Sequence, residues 1–91
     1  MSVSVRIPTI LRSYTGGAAE VTAEHGTLRD VIARLDGAYP GIGGRLLDDT
    51  GKLRRFVNVY VDEEDVRFAQ GLDTPVPSGA KVSVIPAVAG G

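Results

Sequence analysis

The residues of this chain most suited to chemistry are its last two, Gly90 and Gly91. They follow a strand-like run at residues 82–85 and a short Pro-Ala-Val-Ala segment at residues 86–89. Because glycine has no Cβ, a Gly-Gly tail can lie extended in a channel too narrow for other residues, and a second protein can reach its terminal carboxylate without steric hindrance. The ending therefore indicates a carboxylate presented to an enzyme.

A Gly-Gly ending alone is also typical of a terminus that is disordered and has no function. The rest of the chain must decide between these interpretations. With 91 residues the chain is long enough for one compact domain and too short for two. We therefore expect a single domain at residues 1–87 and a flexible tail at residues 88–91.

Composition excludes several classes of function. The formal net charge is −1, so no broad electrostatic attraction to nucleic acid or to an anionic membrane is expected. The absence of cysteine excludes disulfides, thiolate metal sites and a nucleophilic thiol in this chain, so any sulfur must come from outside. No run of residues is apolar enough for a signal peptide or a membrane span, and we expect a cytoplasmic protein.

The first half of the chain predicts a β-hairpin followed by a helix. Apolar and polar residues alternate at 2–7 and again at 19–23, with a Thr-Gly-Gly turn signal between them. A stripe of apolar residues at helical spacing predicts a helix over residues 27–39, with Thr27 as its N-cap and Asp30 three residues later. Pro40 and Gly41 stop it, and residues 42–47 are expected to form an irregular turn against the core.

The second half predicts the remaining strands. Residues 56–61 are almost all apolar, aromatic or β-branched, with Asn58 as the polar exception, which is typical of a central strand. The acidic residues 62–65 predict a turn into a short strand at 66–68, and residues 72–79 predict a loop. A last strand is expected at residues 81–85.

This order of elements provides a single helix to cover one sheet, which makes an α+β domain. We predict a β-grasp (ubiquitin-like) fold: a mixed sheet of four to five strands with one main helix packed across it. In this arrangement the first and last strands lie side by side at the centre of the sheet.

Three segments resemble a known family. They are Val-Arg-Ile-Pro-Thr-Ile-Leu-Arg at residues 5–12, the run from arginine to phenylalanine at residues 55–68, and the ending Pro-Ala-Val-Ala-Gly-Gly. Together they resemble the small β-grasp sulfur carriers of the ThiS and MoaD group, most closely the actinobacterial CysO branch. The likeness covers nearly the whole chain.

The resemblance implies a carrier that is not itself an enzyme, has no catalytic residue and binds no cofactor. Gly91 would be the modified residue, adenylated and converted to a thiocarboxylate by an E1-like adenylating and sulfurtransferase enzyme that uses ATP. Val88, Ala89 and Gly90 would form the tail that partners bind. The acceptor would be a pyridoxal phosphate (PLP)-dependent enzyme such as cysteine synthase, and a metalloprotease would release cysteine from the carrier.

Other candidate sites are weaker. Four adjacent acidic residues at 62–65 lack the alternate spacing of a calcium loop, so they predict a solvated turn and no metal site. His25 has no second metal ligand or nucleophile at an evident spacing. The glycines at 41, 43 and 44 lack the Gly-Lys-Ser/Thr ending of a phosphate-binding loop and predict a turn.

Aromatic and basic residues around position 56 leave two interpretations open. Arg54 and Arg55 are a possible partner contact, against the alternative of a solvated strand start. Phe56 and Tyr60 are expected in the core and not as ligand-stacking residues.

Three functions compete at this stage. The leading one is a sulfur carrier for cysteine formation, and carriers for thiamin, molybdopterin or sulfur-containing natural products share the same tail. The second is a ubiquitin-like modifier that acylates lysine through the same Gly91, and the third is a binding domain whose tail is incidental. Ala80 and Lys81 stand where many relatives have an acidic residue, which leaves the expected tail chemistry unaffected.

Overall fold

The computed structural model describes residues 2–55 and 57–86. Five strands form the main sheet, two further short strands form a ladder of their own, and the principal helix crosses the main sheet on one face. The strands and α-helices are β1 (Ser2–Arg6), β2 (Glu20–Glu24), β3 (Gly26–Thr27), α1 (Leu28–Ala38), α2 (Gly43–Leu46), β4 (Val57–Val61), β5 (Glu64–Asp65), β6 (Pro75–Val76) and β7 (Lys81–Pro86).

The main sheet has the order β2-β1-β7-β4-β5. Strand β1 is antiparallel to β2 and parallel to β7, and β7 is antiparallel to β4. The last strand therefore lies at the centre of the sheet beside the first, which confirms the predicted β-grasp arrangement. Strand β7 pairs with β1 at residues 81–83 and with β4 at residues 82–86, so among the described strands its last residues are hydrogen-bonded to β4 alone.

Local sequence explains where helix α1 begins. The Thr27 side chain accepts a hydrogen bond from the Asp30 N–H at 3.2 Å, and the Asp30 carboxylate accepts one from the Thr27 N–H at the same distance. This capping box satisfies two backbone donors that the first turn leaves without partners. The same backbone bond from Thr27, followed by one from the Thr27 side chain, lowers the pKa of Asp30.

The core lies between α1 and one face of the sheet. The predicted helical stripe is buried, and strand residues alternate between this core and the opposite face. Its main members are Val3, Val5, Leu28, Val31, Ile32, Leu35, Val57, Val59, Val82 and Val84. Tyr60 points away from the core and is only partly buried, so its predicted core position is wrong; Phe56 lies outside the described residues.

Two predictions for the segment after β4 are wrong. Residues 66–68 form a 3-10 helix, not a strand, and the strand after β4 is β5. Asp65 caps this helix by accepting a hydrogen bond from the Arg67 N–H at 2.9 Å, which fixes a turn where β-propensity favours extended chain. Residues 75–76, predicted as loop, form strand β6, which pairs with β3.

Two other local elements were not predicted. Residues Thr9–Thr15 form a 3-10 helix between β1 and β2, and the irregular turn predicted at 42–47 contains helix α2. Gly41 has φ +100° and packs so closely that a Cβ there would lie 2.9 Å from the Tyr14 ring, so glycine is required at this position. No helix in the described part of the chain is both long and apolar enough to cross a membrane.

Candidate functional site

Strand β7 carries the chain towards the predicted modified residue. Val82 and Val84 point into the core, and Pro86, the last described residue, pairs with Val57 at the start of β4. Gly91 and the tail residues Val88, Ala89 and Gly90 lie outside the described residues. The structure therefore defines the base from which the tail departs.

A cleft of about 620 Å³ lies at this base, between the 3-10 helix Thr9–Thr15, helix α2 and the adjoining ends of β4 and β7. We call it the tail-base cleft. Its apolar lining consists of Pro8, Ile10, Leu11, Val57, Val84 and Pro86, with Tyr14 beside them. Ile10 is 69% exposed, so a branched apolar side chain of this lining stands in water.

Two arginines stand beside this apolar lining. Arg45 donates from Nε to the Tyr14 hydroxyl at 2.8 Å, and its guanidinium carbon lies 5.9 Å from the centre of the same ring. This hydrogen bond raises the pKa of Arg45 above its ordinary value. Arg54 donates from Nε to the carbonyl oxygen of Gly44 at 3.0 Å. Both arginines therefore bind neutral oxygens through Nε.

No described carboxylate lies within 4 Å of either arginine. Hydrogen bonds from Thr50 and Lys52 lower the pKa of Asp48, and Arg54 adds to this effect at longer range. The ion pairs between described residues lie elsewhere, at Arg29 with Asp73 and at His25 with Glu24. The lining of the tail-base cleft also contains no aspartate or glutamate among the residues that the structure describes. The base of the tail is therefore apolar and positively charged, although the whole chain has a net charge of −1.

The predicted contact pair is divided by the structure. Arg54 lines the tail-base cleft, whereas Arg55 is exposed and is not among the described lining residues. Their role as a partner contact stays a prediction. Sequence reasoning did not assign Arg45 or Ile10 to a site, because only the folded chain brings them beside β7.

Arg67 was also missed, and its role is structural. Its Nη2 donates to the carbonyl oxygens of Arg54, Arg55 and Val57 at 2.8 to 3.1 Å, and its Nη1 donates to the Asn58 side chain. The polar exception in the predicted strand thus has a partner nine residues later. Arg67 fixes the segment that leads into β4 and carries Arg54.

The rejected candidate sites have ordinary structural partners. The N–H groups of Gly41 and Gly43 both donate to the Asp36 carboxylate, at 3.1 and 2.9 Å. Asp62 accepts a hydrogen bond from the Lys81 N–H at 2.9 Å. Within the described residues, no three histidine, aspartate or glutamate side chains are grouped to hold a metal ion. His25 is exposed.

The fold and the comparisons together define the class of this protein. A mixed five-stranded sheet crossed by one helix is the β-grasp, ubiquitin-like architecture. A model of the ThiS family matches residues 5–91. The chain belongs to the ThiS family, whose members of the ThiS and CysO type are small protein substrates and not enzymes.

Individual relatives agree with this membership. The chain is 54% identical to the sulfur carrier protein CysO of Mycobacterium tuberculosis over the full length of both chains. It matches a chain in the crystal structure of the Amycolatopsis orientalis BexX/CysO complex with a TM-score of 0.92 and 47% identity, covering 98% of this chain and 99% of that chain. These similarities confirm the predicted resemblance to the CysO-type carriers.

A more distant relative bears a different name. The chain is 40% identical over 65 residues to small archaeal modifier protein 3 of Haloferax volcanii, covering 71% of this chain and 70% of the relative. Proteins described as carriers and as modifiers are therefore both similar to this chain.

Proposed function

We propose that this chain is a sulfur carrier that functions through a thiocarboxylate at Gly91. The observation that carries the proposal is the family match, which runs through residue 91 and so includes the Gly-Gly ending. The full-length identity to a sulfur carrier protein supports it. So does the fold, because central strand β7 leads directly to the tail.

The chemistry requires two successive displacement reactions, the first at the α-phosphorus of ATP and the second at the acyl carbon of Gly91. A Gly91 carboxylate oxygen attacks the α-phosphorus of ATP, which forms an acyl-adenylate and releases pyrophosphate. Hydrosulfide then forms a bond to the acyl carbon while the carbon–oxygen bond to AMP breaks, which gives the thiocarboxylate and AMP. A carboxylate needs this activation because its own oxygen is a poor leaving group, and the activating enzyme provides the metal and anion-stabilising contacts.

This division of labour explains the form of the carrier. The chain itself binds no cofactor in this proposal, since ATP and PLP are held by partner enzymes. Ordering a tail costs about 1–2 kcal/mol of backbone entropy per residue, so a docked tail must be stabilised by contacts at the partner's surface. A strand whose last residues are hydrogen-bonded to β4 keeps the ordered part of the carrier large and the ordering cost low.

Cysteine formation is the proposed destination of the sulfur. The full-length similarity to a CysO protein supports a PLP-dependent cysteine synthase as acceptor, with release of cysteine by a metalloprotease. The similar Amycolatopsis orientalis chain was crystallised in complex with BexX, which supports complex formation by this chain with a protein of the BexX kind.

The second candidate is a ubiquitin-like modifier. The similarity to a small archaeal modifier protein favours it. An activated Gly91 would then acylate a lysine amine, forming an amide bond and releasing AMP. Conjugates to other proteins in cells distinguish this function from sulfur transfer.

The test is the intact mass of the protein recovered from sulfur-replete native cells, with peptide mapping of its C-terminus. We expect a mass gain equal to the replacement of one oxygen by sulfur, located at Gly91. Gly91→Ala and a one-residue extension should both abolish the modification without changing stability. Gly37→Ala is the matched control, because Gly37 is exposed on α1 and a Cβ there meets no atom within 4 Å.

Two results would contradict the proposal. An unmodified terminus together with lysine-linked conjugates would favour the modifier. Modification of the Gly91→Ala variant at the rate of the Gly37→Ala control would overturn the argument that partners require an unhindered glycine.

A further inference from the structure

The tail-base cleft has the composition of a protein contact. Its lining is mostly apolar, Ile10 at its edge is 69% exposed, and Pro86 forms the end of the cleft nearest the tail. A single exposed isoleucine is ordinary on a protein surface. An exposed isoleucine that is continuous with an apolar cleft is unusual, because water must then cover an extended apolar surface.

The arginines of the cleft are held in place by hydrogen bonds to neutral oxygens, and Asp48 interacts with Arg54 only at more than 4 Å. Arg45 and Arg54 are each fixed by an Nε hydrogen bond, to the Tyr14 hydroxyl and to the Gly44 carbonyl oxygen. Within the described residues, their Nη groups have no carboxylate within 4 Å. A guanidinium held through Nε keeps its two Nη donors for a carboxylate, with less side-chain entropy left to lose on binding.

Resting on the proposed function, we propose that the tail-base cleft is the docking site for a segment of the carrier's protein partner. This segment presents an apolar side chain to the lining of the cleft and carboxylates to Arg45 and Arg54. The partner therefore recognises the carrier beside the tail as well as through it. The charge complementarity is local, because the chain as a whole is slightly negative.

The shape of the site favours a protein segment over a small anion. A bound phosphate or sulfate would neutralise the arginines but would leave the apolar lining and Ile10 in water. A protein segment covers both. An apolar anchor flanked by arginine contacts is also a common composition for the residues that dominate a protein interface.

The position of the cleft gives it a function in tail capture. Contacts made beside Pro86 hold the chain shortly before the tail begins at Val88, so the partner orders the remaining residues from a fixed point. These contacts offset part of the entropy that tail ordering costs.

The experiment measures the binding of Amycolatopsis orientalis BexX to this chain by isothermal titration calorimetry. The variants are Arg45→Gln, Arg54→Gln, Ile10→Ser and the double arginine variant. Lys81→Gln is the matched control, because Lys81 is an exposed cation at the opposite end of β7. The denaturation midpoint of each variant is measured first, and we expect all to match the wild-type chain because these side chains are not in the core.

We expect each arginine variant to weaken binding by about two- to fivefold, and the double variant by about the product of the two. Ile10→Ser should weaken binding at least as much, and Lys81→Gln should leave the affinity unchanged. Raising the salt concentration should weaken the wild-type complex more than the double variant.

Three outcomes would overturn the proposal. The first is no measurable binding of BexX by the wild-type chain, and the second is an equal loss of affinity in Lys81→Gln and Arg54→Gln. The third is that, with inorganic phosphate at millimolar concentration, the arginine variants bind BexX as tightly as the wild-type chain. The last result would identify a small-anion site. Mass measurement of Gly91 in the arginine variants separates the docking hypothesis from the proposed sulfur-carrier function. If Gly91 carries a thiocarboxylate as in the wild type and the affinity for BexX is unchanged, only the docking hypothesis is contradicted.

Discussion

The charged side chains at the two ends of central strand β7 have different hydrogen-bond partners. At the Lys81 end, the carboxylate of Asp62 accepts a hydrogen bond from the Lys81 N–H, and the Asp62 N–H donates to the Lys81 carbonyl oxygen, both at 2.9 Å. At the Pro86 end, Arg45 and Arg54 bind neutral oxygens through Nε and have no described carboxylate within 4 Å.

This contrast distinguishes a charged side chain that stabilises the fold from charged side chains that we propose bind a partner. Asp62 joins the β4–β5 turn to the start of β7, so its removal affects the folded state. Arg45 and Arg54 contribute little to the sheet, so their removal should affect recognition. The distinction depends on where the hydrogen bonds of each group go and not on its charge or exposure.

Arg67 gives the largest expected effect and tests whether every arginine near the tail serves recognition. Arg67→Met removes donors to three carbonyl oxygens and to the Asn58 side chain, and we expect a loss of about 2 kcal/mol in the free energy of unfolding. Denaturant unfolding measures it. Arg67→Lys should recover less than half, because an ammonium does not reproduce the guanidinium fork. A stability equal to that of Arg54→Met would contradict this assignment.

Asp62 gives the next effect, at the other end of the strand. Asp62→Ala removes the acceptor of the Lys81 N–H, and we expect a loss of about 1 kcal/mol by denaturant unfolding. Asp62→Asn keeps an oxygen in place and should lose less. If the two variants are equally stable, the hydrogen bond does not contribute and the contrast between the two ends fails.

Glu63 offers a gain in stability at the same end. Asp62 and Glu63 form the two-residue connection between β4 and β5 with φ values of 49° and 75°, a left-handed conformation that is strained for residues with a Cβ. Glu63→Gly relieves this strain, and we expect a gain of about 0.5–1 kcal/mol after the entropic cost of glycine. Glu64→Gly, in strand β5, is the control and should destabilise.

The smallest effect concerns a carboxylate that caps a helix. Hydrogen bonds from the Thr27 backbone and then its side chain lower the pKa of Asp30 in the folded state. Its contribution to stability is therefore present above the ordinary carboxyl pKa and is lost as the pH falls through the lowered folded value. Thermal unfolding between about pH 5 and 2 should show the wild type and Asp30→Asn converging. Asp49→Asn, which removes an exposed carboxylate with no hydrogen bond to the described residues, is the control variant.

Sequence reasoning found the elements with clear periodicity. Strands β1, β4 and β7 and helix α1 each contain a repeated apolar pattern, and α1 also has its capping box. The sequence failed at the two-residue strands β5 and β6, at helix α2 and at the 3-10 helices. The 3-10 helix at 66–68 depends on Asp65 and on distant oxygens bound by Arg67, and no local propensity reports such contacts.

The candidate site was predicted in part. The Gly-Gly ending could be selected from its residue types and its place in the sequence, and Arg54 from its place beside Arg55 and an apolar segment. Ile10 and Arg45 could not, because they lie far apart in sequence and become neighbours of Pro86 only when the 3-10 helix and α2 close around the end of β7.

The parallel pairing of β1 with β7 has a consequence for how the chain folds. Among the described strands, β7 follows all the others in the chain and its partner β1 precedes them. Their pairing closes a long loop, which makes this step slow and leaves the apolar faces of β1 and β4 without their central neighbour until β7 has been synthesised. A chain truncated before β7 should therefore fail to fold, and a cell would degrade it before any partner encountered a carrier without its tail.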